Sequence, residues 1–157
     1  MIKYLKQSLF DAPPGSYILH ACNAQGVWGA GIAKEFKFRY PKAYDAYKSV
    51  CRGMGGLDGQ SLLIEDSGGP HIVCCLIASI GYGKRRDSEE DILLNTRQAV
   101  VLLLGRMQRD GRERVIYSNK FNSGLFGVPW EKTEAVLKSV FDEFPSDLIW
   151  YVCDPEM

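Results

Sequence analysis

Gly26-Val27-Trp28-Gly29-Ala30-Gly31 separates two stretches of different hydrophobic period, and that change of period decides the fold. Before it, Tyr17 to Cys22 is a nearly unbroken apolar run, the pattern of a central strand covered on both faces. After it, Ile32, Ala33, Phe36 and Tyr40 recur at helical spacing, and Pro41 restarts a helix striped by Tyr44, Tyr47 and Val50. The same plan returns further on. Val115 to Ser118 reads as a strand, Asn122-Ser123-Gly124-Leu125-Phe126-Gly127 as a turn, and Pro129 introduces a helix carrying Val136, Leu137, Val140, Phe141 and Phe144.

Around these two units, Ile2 to Leu5 and Leu148 to Cys153 read as further strands. Ser61 to Glu65 and Ile72 to Ser79 form a hairpin through Gly68-Gly69-Pro70, after a flexible connection from Arg52 to Gly59. Ser88 with Asp91 resembles a capping box that opens a helix whose Ile92, Leu93, Ala99, Val100, Leu103 and Met107 face inward, with Gly105 weakening but not ending it. Strands alternating with helices predict an α/β fold, a mixed sheet with helices on both faces. Ligands of such sheets bind where strand ends meet helix starts, and both glycine turns sit at such junctions.

At 157 residues, 46% hydrophobic and 24% charged, the chain is expected to be one ordinary globular domain. Its formal net charge of zero speaks against a general attraction to nucleic acid or anionic membrane. No apolar run approaches the roughly 20 residues of a membrane span, and Met1 to Leu5 lacks the layout of a signal peptide, so an intracellular protein is expected. Cys22, Cys51, Cys74, Cys75 and Cys153 show no paired spacing with one another or with His20 and His71, so buried thiols are expected and neither metal nor cofactor is called for.

A turn without β-carbons lets backbone N–H groups approach an anion, and the following helix start adds unpaired donors and its positive dipole end. Two such turns point to a diphosphate ligand held without general positive charge. Asn23 offers a donor and an acceptor to a ribose hydroxyl, or equally caps the strand-to-turn junction. His20 is either a general base or a satisfied core histidine. Trp28, Tyr82 and Phe126 can cover a ribose or base, or pack their own loops. Lys84-Arg85-Arg86 reads as a solvated basic loop, although it could reach a phosphate.

The run His20-Ala21-Cys22-Asn23-Ala24-Gln25-Gly26-Val27-Trp28-Gly29-Ala30-Gly31-Ile32-Ala33, with Arg39-Tyr40-Pro41-Lys42-Ala43 behind it and Asn122 to Trp130 later, resembles the macro domains. It is similar to the branch that contains ADP-ribose-1''-phosphate phosphatases. The resemblance implies a three-layer α/β/α sandwich with a mixed central sheet. It also implies a ligand, ADP-ribose or its 1''-phosphate, and a link to tRNA splicing in the cytoplasm or nucleus. By the same resemblance, the Leu9-Phe10 turn lies by the adenine, Ala21 to Asn23 with Gly29 to Ile32 surround the distal ribose, Asn122 to Gly127 cradle the phosphates, and Ser8 and Trp28 are expected to touch the ligand too. It gives His20 a proton transfer, Asn23 the ribose, and the Ser123-Gly124 amides the phosphate charge.

Three departures qualify the likeness. Ser8 stands where many macro domains place an adenine-binding aspartate, Phe126 where protein-ADP-ribose hydrolases carry an aspartate, and Cys153-Asp154-Pro155 where an aromatic residue is common. A non-catalytic reader of free or protein-linked ADP-ribose, and a hydrolase of ADP-ribosylated protein, are the alternatives to the phosphatase.

Overall fold

A computed structural model describes residues 1–53, 55–110 and 115–157. The strands are β1 (Ile2–Leu5), β2 (Tyr17–Asn23), β3 (Ser61–Ile64), β4 (Ile72–Ser79), β5 (Val115–Ser118) and β6 (Ile149–Cys153). The helices are α1 (Gly31–Arg39), α2 (Pro41–Gly53), α3 (Glu89–Asp110) and α4 (Trp130–Glu143). They build one sheet in the order β1-β6-β5-β2-β4-β3, parallel throughout except for the antiparallel β3–β4 pair.

Strand periodicity sorts the core into two layers. Leu19, Cys74, Leu76, Ile116 and Trp150 face the α3–α4 side, where Val100, Leu103, Leu137 and Val140 cover them. Ile18, Cys22, Val73, Cys75 and Ile77 face the α1–α2 side, under Phe36, Tyr40 and Tyr47. The result is the expected α/β/α sandwich with a mixed sheet. Each fully buried Leu, Ile or Phe contributes about 1.5–3 kcal/mol, so the apolar stripes that the helices present are what hold them on the sheet.

From β2 the chain passes through α1 and α2 to β3 and β4 on one side of the sheet, whereas β5, β6 and β1 lie on the other. The direction of winding therefore reverses between the neighbours β2 and β5. In open α/β sheets the crevice at such a reversal, outside the carboxyl ends of the strands, is the ligand site. Both glycine turns leave the carboxyl ends of this pair.

Some expected boundaries shift. Arg52 and Gly53 complete α2 rather than starting a loop, and Met54 lies outside the described residues. Phe144 caps the end of α4 and is exposed, because the inward stripe of that helix ends with Val140 and Phe141 one turn earlier. Ser88 caps α3 as expected, its Oγ accepting from the Asp91 amide at 3.2 Å. Among the described residues no helix is long and apolar enough to cross a membrane.

Candidate active site

The first turn is shaped by Asn23. Its Oδ1 accepts from the amides of Gln25 at 2.9 Å and Val27 at 3.3 Å, and its Nδ2 donates to the Val27 carbonyl at 2.8 Å. The Tyr47 hydroxyl from α2 donates to the Asn23 carbonyl at 2.5 Å. The capping contacts of Asn23 are thus present, and its buried side chain orders its own turn. What the turn presents outward is backbone. Gly29, Ala30 and Gly31 are exposed, and the Gly29 and Ala30 amides have no hydrogen-bond partner among the described residues. Helix α1 then starts at Gly31 in a left-handed conformation, φ +59°, with no side chain capping it, so its first donors and dipole end stay open.

The second turn hangs from Asn122, a non-glycine residue at φ +69°. Its Nδ2 donates to the Thr96 and Thr133 hydroxyls at 3.0 and 3.3 Å, and its carbonyl accepts from the Val128 amide at 2.9 Å, which ties the turn to α3 and α4. The Gly127 amide folds back to the Gly124 carbonyl at 3.0 Å. Between these ties the amides of Gly124, Leu125 and Phe126 are unpartnered among the described residues. Three successive free N–H groups in a turn are the kind of donor set that an anion can occupy. Of the expected Ser123-Gly124 donor pair, the Gly124 amide is open, whereas the Ser123 amide donates to the Lys120 carbonyl at 3.4 Å. The two turns meet: Leu125 Cδ1 lies 3.6 Å from where a β-carbon on Gly31 would sit.

His20 stands elsewhere. As an even-numbered residue of β2 it shares a face with Ile18 and Cys22, the face that α1 and α2 cover. Its ring stacks on Phe36 with centroids 3.9 Å apart, meets Trp28 edge-on at 4.7 Å, and has no solvent exposure. Burial alone pushes its pKa down to about 3, so at neutral pH the ring is uncharged. The reading of His20 as a general base is therefore corrected: the imidazole is core packing that supports the first turn through Trp28.

The strand pairing also brings Cys75 of β4 opposite His20. The His20 nitrogens and the Cys22 and Cys75 sulfurs lie within 4.8 Å of one another, a set of metal-ligand type that sequence spacing concealed. Burial, with Cys75 alongside, drives the Cys22 thiol well above its ordinary pKa, which favours the protonated form over the thiolate a metal needs.

A third segment borders the turns. The link from β4 to α3 leaves the same sheet edge, since β4 runs parallel to β2. It is fastened by the Asp87 Oδ2, which accepts from the Ile80 amide at 2.9 Å, and by the Asp87 amide, which donates to Ser79 Oγ at 2.9 Å. The Ala24 amide, donating to the Ser79 carbonyl at 2.9 Å, joins it to the first turn. Within it, a short 3-10 turn, Gly83–Arg85, carries Arg86 over the second glycine turn, with Nη2 and Nε 3.8 and 3.9 Å from the position of a Gly127 β-carbon. Sequence reading gave this basic triplet to solvent. The signal it lacked is the proximity to Gly127, which only the fold supplies.

Ser8, Leu9 and Phe10 leave the parallel strand β1 at this edge too. Ser8 Oγ accepts from the Phe10 amide at 3.2 Å and so serves as a helix cap, Leu9 is buried, and Phe10 packs on Phe36 beneath the Arg39 guanidinium. At the same edge, past the carboxyl ends of β5 and β6, Lys120 pairs with Asp154 at 3.1 Å. A cavity of about 380 Å³ opens instead at the strand starts, lined by Pro13, Tyr17, Ile72 and Val115, on the opposite edge from the free amides.

The chain is similar to known proteins in both sequence and fold. The Macro domain family model matches residues 19–137, a span that holds both glycine turns. The chain is 33% identical to the ADP-ribose 1''-phosphate phosphatase of Neosartorya fischeri, over 87% of this chain and 88% of that protein. It is 37% identical to the protein of the same name in Lodderomyces elongisporus, over 87% and 90%. Among solved structures, the macrodomain of Mycobacterium tuberculosis DarG superposes with a TM-score of 0.79 at 24% identity, over 99% of both chains. Thermosipho africanus DarTG, solved in complex with ADP-ribose, superposes at 0.78 with 12% identity, over 99% of this chain and 42% of that one. These two likenesses are of fold.

Proposed function

The chain belongs to the macro domain family, and we propose that it is, as a single domain, a phosphatase that converts ADP-ribose 1''-phosphate to ADP-ribose and inorganic phosphate. The observation that carries this reading is the 33% and 37% identity to proteins named ADP-ribose 1''-phosphate phosphatase, and the two amide clusters, Gly29-Ala30 and Gly124 to Phe126, on turns that touch at Gly31 and Leu125, support the ADP-ribose part of the ligand. The pyrophosphate lies between them at the open start of α1, and the distal ribose extends along the first turn. Hydrogen bonds to a charged group contribute about 1.5–3 kcal/mol each, so three or four amides give micromolar binding in a chain of zero net charge.

In the reaction, water's oxygen bonds to phosphorus in line while the bond from phosphorus to the 1'' oxygen breaks. The proton released by the water ends on the departing sugar oxygen. Charge builds up on the equatorial oxygens of the reacting phosphoryl group, and donors fixed beside them supply the stabilisation. An anomeric oxygen is a weaker base than an ordinary alcohol and leaves with less protonation, which suits a site where His20 is enclosed. Asn23 acts by holding the first turn in shape.

The reading places the protein inside the cell, in cytoplasm or nucleus, where it removes a metabolite linked to tRNA splicing. It needs no cofactor, and its partner is the small molecule. The test is incubation of the purified protein with ADP-ribose 1''-phosphate. Equimolar phosphate and ADP-ribose are expected. Tight ADP-ribose binding without phosphate release would make the protein a reader, and release of ADP-ribose from modified protein would make it a hydrolase of ADP-ribosyl groups.

A further inference from the structure

Nothing in the paired amide turns distinguishes substrate from product, since both contain ADP-ribose; what differs is a terminal phosphate monoester with up to two negative charges. Backbone donors alone are a weak match for that charge, and a cation at the site is the natural complement. Of the cations on elements flanking the second turn, Lys120 is bound to Asp154 and Lys132 to Glu89. Lys84, Arg85 and Arg86 have no carboxylate partner among the described residues, and of these Arg86 is the one that reaches Gly127 of the second turn.

The guanidinium is also held in place. Arg86 Nη1 donates to the Gly83 carbonyl at 2.9 Å, and the Arg86 amide reaches the same oxygen at 3.3 Å, closing the 3-10 turn around it. Gly83 adopts φ +62°, which a residue with a β-carbon rarely does, and the Arg85 carbonyl presses so close on Gly81 that a β-carbon there would lie 2.2 Å from it. With Asp87 clamping the far end through Ile80 and Ser79, the segment is a rigid bracket. Nη2 and Nε, the nitrogens without a protein partner among the described residues, are the ones that lie against Gly127.

We propose that Arg86 determines specificity for the terminal phosphate, its guanidinium binding the 1''-phosphate oxygens beside Gly127. This rests on the phosphatase reading above and names the residue that separates substrate from product. Once the monoester is cleaved and phosphate departs, Arg86 has no hold on ADP-ribose.

The experiment compares the parent protein with Arg86→Gln, Arg86→Lys and the neighbouring control Arg85→Gln. Affinity for the 1''-phosphate is read as KM where phosphate is released and as Kd by calorimetry where it is not. ADP-ribose affinity is read by calorimetry throughout. The expected result is that Arg86→Gln weakens the 1''-phosphate about tenfold or more and leaves ADP-ribose within about twofold, as fits a charge-assisted contact on an exposed arginine. Arg86→Lys restores part of the loss, Arg85→Gln changes neither affinity, and inorganic phosphate inhibits the parent more strongly than Arg86→Gln. Equal weakening of both ligands would assign Arg86 to the shared pyrophosphate and overturn the proposal, as would no change in either. Absence of phosphate release by the parent protein would defeat the phosphatase reading alone, because the ratio of the two binding constants still tests Arg86.

Discussion

The His20→Phe variant is expected to resist mild acid better than the parent protein. In the folded chain the imidazole is fully enclosed, and burial lowers its pKa from 6.5 to about 3. Below pH 6.5 the unfolded chain therefore takes up a proton that the folded chain refuses until about pH 3. Stability tied to the neutral ring is fully present above pH 6.5 and is lost progressively as the pH falls toward 3. At pH 5 the loss from this one group comes to about 2 kcal/mol, at about 1.4 kcal/mol per unit of pKa difference, against a total of about 5–15 kcal/mol for a typical domain. Phenylalanine keeps the stack on Phe36 and has nothing to protonate. Its larger ring costs about 1–3 kcal/mol from overpacking, but equally at every pH. Urea unfolding of both proteins at pH 7.5 and pH 5 reads the difference: the parent should lose about 2 kcal/mol more than the variant on acidification. Equal losses would refute the argument. Phosphate release at pH 7.5 should survive in the folded variant, and a hundredfold loss there would return His20 to the cleft.

Three other substitutions probe the scaffold of the site. Gly81→Ala places a β-carbon against the Arg85 carbonyl and must shift the bracket that holds Arg86, so KM for the 1''-phosphate should rise several-fold with a stability loss of about 1–3 kcal/mol by urea unfolding; an unchanged KM would contradict the rigid-bracket argument. Asn122→Ala loses the donors to Thr96 and Thr133 and puts alanine at φ +69°, for an expected cost of about 2–3 kcal/mol by urea unfolding, and a cost under about 0.5 kcal/mol would show the turn does not depend on it. Ser8→Asp keeps an oxygen to cap the Phe10 amide and adds an acceptor for the adenine amino group; ADP-ribose binding should tighten about three- to tenfold by calorimetry, and no change would remove that turn from the adenine subsite.

The alternation of strand and helix was legible because each element carries its own period, and the glycine turns stood out because they interrupt it. Their convergence was not. It depends on β2 and β5 being neighbours, a pairing between residues nearly a hundred positions apart that leaves no local mark. The two roles weighed for His20 could not be separated either, since a strand apolar on both faces does not say which face a given side chain takes. Here the even positions of β2 meet Phe36 and Trp28. Asn23 was undecided for a related reason, as its amide suits a turn and a sugar hydroxyl equally well, and only the fold shows the capping contacts to Gln25 and Val27. Arg86 looked like one of three solvated charges because its neighbour, Gly127, lies 41 positions further along the chain.

The central claim, that one pyrophosphate is gripped by backbone donors from both turns, is tested most directly by following amide proton and nitrogen resonances as ADP-ribose is added. Large downfield shifts and slowed exchange are predicted at Gly124, Leu125 and Phe126 together with Gly29 and Ala30, saturating at one common concentration. Shifts confined to one turn, or centred on the cavity beside Tyr17 and Ile72, would contradict the account.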